Sequence, residues 1–120
     1  MHMVRVFLVA LAALLAAPPA FAHAFYEHAS PAAGSEVKAP PQAVTITFSE
    51  AVEPHFSKIE VHDANGASVD QGDVHSAGND GKGLAVGLNK LAPGKYTVIW
   101  HVTSVDTHKT EGRFDFTVVP

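Results

Sequence analysis

The hydrophobic pattern divides the chain in two. Val6 to Ala17 is an unbroken run of 12 apolar residues, whereas everything after residue 22 is short alternation punctuated by Pro and Gly. The long run follows Arg5 and is closed by Pro18 and Pro19, after which Ala20-Phe21-Ala22 places small residues at the −3 and −1 positions of a cleavage site. That order is a secretory signal peptide cut after Ala22. The run falls short of the ~20 apolar residues that a membrane span needs. Residues 1–22 are therefore excluded from the fold, and residues 23–120 form the single domain. Ala22-His23-Ala24 offers a second, competing A-x-A two residues on.

In the remainder, the pattern predicts strands. Val44 to Phe48 alternates apolar and polar, as does Lys58 to His62, which runs into the Asn65-Gly66 turn signal. Leu84 to Leu88, Tyr96 to Val102 and Gly112 to Val119 complete five clear candidates, with Ala92-Pro93-Gly94 as a turn between two of them. Shorter strands are expected at Tyr26–Ala29 and Ala67–Val69. Asp70 to Gly83, rich in glycine and aspartate, reads as a polar, mobile loop. Short strands at this spacing predict an all-β single-domain sandwich. Phe48, Trp100, Phe114 and Phe116 are its expected core aromatics.

Composition narrows the chemistry. The chain has no cysteine, so an exported domain must stand without disulfides, and thiolate zinc sites, thiol catalysis and iron–sulfur clusters are excluded. Both methionines, Met1 and Met3, lie in the leader, so no sulfur ligand remains downstream and soft copper(I) coordination loses its donors. Seven of the eight histidines do remain. Twelve acidic and seven basic side chains lie beyond residue 22, a formal charge of −5, which disfavours nucleic acid and anionic membranes as partners.

Cleavage after Ala22 makes His23 the first residue. Its α-amine and imidazole Nδ1 then form a six-membered chelate, and both groups give up protons readily near neutral pH. Two nitrogens on one residue suit copper(II), which heads the divalent affinity order. Asp106-Thr107-His108 supplies a second element. In an extended segment, side chains two apart share a face, so Asp106 and His108 are expected to present an oxygen and a nitrogen together. Each element alone is a weak signal; the pair gives three nitrogens and one oxygen for one copper(II) per chain.

The sequence also resembles the periplasmic copper-resistance proteins called CopC. The likeness runs through His23-Ala24, Ser30 to Ser35, Pro41, Val44 to Glu50, Phe56-Ser57, Leu91 to Trp100 and Ser104 to Phe116. It implies an Ig-like or cupredoxin-like Greek-key sandwich or barrel of about seven strands, with a copper(II) site near one end. The ligands it implies are His23, Asp106 and His108, with Glu50 in the place of an auxiliary carboxylate found in some members. Some members also carry a methionine-rich copper(I) loop; the corresponding residues, around 62–82, contain no methionine here. The expected function is a periplasmic carrier or buffer in copper homeostasis or resistance, not an enzyme. It would be a monomer that passes copper to a CopD-like membrane transporter or to another periplasmic copper protein.

Two other readings remain open. An N-terminal His chelate with a second His is similar to the histidine brace of copper oxygenases, although an Asp ligand resists reduction and a domain this small offers little substrate platform. A metal-free Ig-like interaction module is the other. His28, His55, His62, His75 and His101 are expected to be surface histidines, with His101 opposite Trp100 on its strand and a candidate neighbour of the site.

Overall fold

Alternation in the sequence becomes burial in the structure. In the computed structural model, which describes residues 23–120, β3 (Ala43–Phe48) sends Val44, Ile46 and Phe48 into a solvent-free interior and turns Thr45 and Thr47 the other way. Such a strand serves as the centre of a half-solvated sheet. It pairs antiparallel with β1 (Tyr26–Ser30) on one side and with β6 (Gly83–Gly87) on the other. β5 (His75–Ala77) borders β6 and closes the order β1-β3-β6-β5.

The second sheet has the order β2-β8-β7-β4. Its body is a long hairpin of β7 (Gly94–Thr103) and β8 (Lys109–Val118), paired in register from Gly94 opposite Val118 to Thr103 opposite Lys109. β4 (Lys58–His62) adds antiparallel to β7, and the two-residue β2 (Glu36–Val37) adds parallel to β8. Tyr96, Val98, Trp100 and Val102 form the inward row of β7. The sheets meet through Phe48 against Trp100, with ring centroids 5.2 Å apart and edge-on, a favoured aromatic geometry. At the opposite end Tyr96 stacks on Phe116 at 5.5 Å and donates its hydroxyl hydrogen to the Ala92 carbonyl at 2.6 Å. The β-sandwich expected from the sequence is thus the observed fold.

Several details differ. There are eight strands among the described residues, against about seven expected. β2 and β5 are the additions, each too short to carry an alternating signal. The supposed mobile loop therefore contains a strand, and Asp73 fastens it by accepting the Gly87 N–H at 2.8 Å. Conversely, Ala67–Val69 is not a strand. Asp63 accepts the N–H groups of both Asn65 and Ala67, tightening the turn around Gly66 (φ 85°), and only Ser68 retains a bridge, to His62. Phe114 is partly buried, covered by Tyr26 at 5.6 Å rather than sunk in the core. The expected leader, residues 1–22, lies outside the described residues.

Candidate metal centre

The connection between β7 and β8 is short and sharply folded. Thr107 donates its N–H to the Ser104 carbonyl at 2.8 Å, and Ser104 donates to the His108 carbonyl at 2.9 Å. Thr107 sits at φ 73°, a left-handed conformation that costs a β-branched residue roughly 1–3 kcal/mol. Asp106-Thr107-His108 is therefore a turn and not the extended segment expected. The two side chains still meet, with His108 Nδ1 3.2 Å from Asp106 Oδ1, because the left-handed residue between them folds the chain back. The turn and the end of β7 are tied to the segment that follows β3 by Val105 N–H to the Ala51 carbonyl at 3.1 Å and by Glu53 N–H to the Thr103 carbonyl at 2.9 Å.

Ser104, almost fully buried, organises this turn. Its hydroxyl donates to Asp106 Oδ1, and its oxygen accepts the His108 N–H at 3.3 Å. The Ser104 hydroxyl is the main reason that the Asp106 carboxyl is held below the usual carboxylate range; partial desolvation opposes it and His108 adds to it. A carboxyl lowered in the folded state stabilises the fold above its unfolded pKa, and that contribution is lost as pH falls through the folded value. Ser104→Ala is expected to raise the Asp106 pKa towards the ordinary value, read by carboxyl NMR titration. An unchanged titration would remove Ser104 as the cause.

The N-terminal residues come to the same end of the sandwich. His23 to Phe25 precede β1, and Ala24 is completely buried. The rings of His23 and His108 lie 4.7 Å apart, centroid to centroid, tilted by 50°. Phe25, more than half exposed, flanks His23 at 5.7 Å. His23, Asp106 and His108, predicted as one set, are thus brought together: ring to ring, then ring to carboxylate.

Other candidates stand apart. Glu50 is half-buried at the bend after β3, and among the described residues no hydrogen bond or ion pair joins its carboxylate to these imidazoles. His101 is exposed opposite Trp100, as expected, but its partner is Glu111 at 3.5 Å. His62 pairs with Glu60 at 3.2 Å, and His75 meets the Asp73 carbonyl at 2.6 Å. Among the described residues no three His, Asp or Glu side chains form a complete cage for a metal. What converges is two imidazoles with a carboxylate beside one of them, nitrogen and oxygen donors of hard-to-intermediate character. Sequence reasoning assigned no role to Ser49, Ser104 and Thr110, since hydroxyls that hold backbone groups have no signature spacing.

Comparison with known proteins follows the same lines. A family model described as the CopC domain matches residues 26–119. Protein YobA of Escherichia coli K12 is 42% identical over 115 residues, spanning 95% of this chain and 93% of that protein. The crystal structure of CopC from Methylosinus trichosporium OB3b is similar at a TM-score of 0.77 and 36% identity, covering 82% of this chain and 95% of that one. That of PcoC, a methionine-rich copper resistance protein from Escherichia coli, gives 0.70 and 29% identity, covering 81% and 99%.

Proposed function

The chain belongs to the CopC family, and on that premise we propose that it is a periplasmic copper(II) carrier, released from its leader after Ala22. One ion is held by the amine and imidazole of His23 together with Asp106 and His108. The observation that carries this reading is the approach of the His23 ring to within 4.7 Å of His108, itself 3.2 Å from Asp106. While Ala22 is attached, the His23 nitrogen is an amide and a poor donor. Cleavage converts it to an amine, so export supplies the further nitrogen in the compartment where copper is met. The PcoC neighbour is a methionine-rich copper resistance protein; this chain has no methionine after residue 3. Its copper is therefore copper(II) on nitrogen and oxygen, without a separate thioether site for copper(I).

Carriage rather than catalysis fits the donors. An anionic oxygen ligand favours the higher oxidation state, and a carrier needs only capture and release. Protons compete with the ion for the same nitrogens, so binding weakens as the medium becomes acidic. Release to a membrane copper transporter or another periplasmic copper protein completes the role, with the monomer as the working unit.

The test is a copper(II) titration of the exported protein, its first residue determined by mass spectrometry. One tight equivalent with nitrogen hyperfine structure in the EPR spectrum is expected. A mature chain that starts at Phe25, or one that binds no stoichiometric copper, removes the proposal.

A further inference from the structure

The ladder of β1 begins only at Tyr26, opposite Phe48, so strand pairing does not itself fix residues 23 and 24. Two hydroxyls do. Ser49, just beyond β3, donates its side-chain O–H to the His23 carbonyl at 3.1 Å and accepts the Phe25 N–H at 2.9 Å. Its own N–H goes to the Phe25 carbonyl at 2.8 Å. Thr110, in β8, donates its hydroxyl to the Ala24 carbonyl at 2.7 Å. These anchors come from different sheets, so the segment is held across the end of the sandwich, with the buried Ala24 methyl as a plug between them.

A chain terminus without such ties frays. A ligand on a frayed terminus must be ordered by the metal at the moment of binding, and affinity falls by the cost of that ordering. We propose that Ser49 and Thr110 are positioning residues for copper: they fix the backbone of residues 23–25 so that the His23 amine and ring arrive beside His108 before the ion does. This rests on His23 being a ligand. Neither hydroxyl touches the metal; both act through carbonyls and an N–H of the first three mature residues. Loss of partners outside the ligand set typically weakens a metal site by roughly 10–100-fold, and that is the scale expected here.

The experiment compares the exported mature protein with Ser49→Ala, Thr110→Val, the double variant and Thr110→Ser. Copper(II) affinity is measured by chelator competition, the ligand set by EPR, and the approach of the two rings in the metal-free protein by the His23–His108 NOE. The double variant is expected to lose affinity by roughly ten- to a hundredfold and to lose the NOE, with its far-UV spectrum unchanged. Thr110→Ser, which keeps the hydroxyl, is expected to retain both where Thr110→Val weakens them. Wild-type affinity and an intact NOE in the double variant overturn the clamp while leaving His23 as a ligand. A Thr110→Ser protein as impaired as Thr110→Val also overturns it. A wild-type protein that binds no copper overturns the site and the clamp together. Should the double variant fail to fold, the single variants decide: weakened binding with a weakened NOE in either supports the clamp, and wild-type behaviour in both overturns it.

Discussion

Replacing His23 by Ala, or adding one residue ahead of it, is expected to weaken copper(II) binding by more than about a hundredfold, beyond the ~10–100-fold typical for groups outside the ligand set. The substitution deletes the imidazole and, by leaving Ala first, keeps only an amine on a residue without a second donor. The extension does the reverse: it keeps the imidazole and turns the amine into an amide. Both would break the proposed chelate from different sides, while His108 and Asp106, 3.2 Å apart, lie on a turn that neither change touches. Chelator competition at fixed pH reads the loss, and nitrogen hyperfine couplings should report fewer nitrogens in each case. Tight binding that survives both changes would sink the chelate and move the ion elsewhere.

Phe48→Ala carries the largest expected effect on the fold. Phe48 is completely buried, ends the central strand of one sheet and meets Trp100 of the other at 5.2 Å. Truncating such a ring leaves a cavity worth about 3–5 kcal/mol. For a domain of this size each kcal/mol shifts the melting midpoint by about 4–8 °C. A drop of at least ~12 °C in the metal-free protein follows from those two figures. Excess copper should raise the midpoints of wild type and variant alike and leave most of the difference between them, because an ion that binds only the folded state stabilises both. A fall of only a few degrees would show that the ring is not packed as described.

The parts of this fold legible in the sequence are those where one face is wet and the other dry. Lys58–His62 was predicted residue for residue, and Val44–Phe48 to within one position, because every second side chain is buried. β5 escaped because three residues, His75-Ser76-Ala77, give no alternation and sit among turn-forming glycines and aspartates. Ala67–Val69 misled in the opposite direction: its composition suits a strand, but Asp63 draws the Ala67 N–H into a tight turn, and pairing with β4 is reduced to a single bridge at Ser68. For the site, residue types and spacing selected His23, Asp106 and His108, and the structure brings them to one end. Asp106 and His108 meet by a different route from the extended segment that their spacing suggests: a left-handed Thr107 folds one back towards the other. Hydrogen bonds from hydroxyls to backbone carbonyls depend on which chain segments meet. No one-dimensional pattern encodes that meeting, so Ser49 and Thr110 emerged only from the fold.

The arrangement of the two imidazoles bears on how the domain stays folded. His23 and His108 stand 85 positions apart in the sequence. An ion shared between them turns most of the chain into a closed ring. In the chain-entropy picture a permanent tie across so long a span restricts the unfolded ensemble by roughly 4–5 kcal/mol; a metal tie approaches that only while it is occupied. For a protein without cysteine, copper would then be a reversible staple as well as a cargo. The loaded form would resist heat and proteases, and the emptied form would be the one more readily cleared.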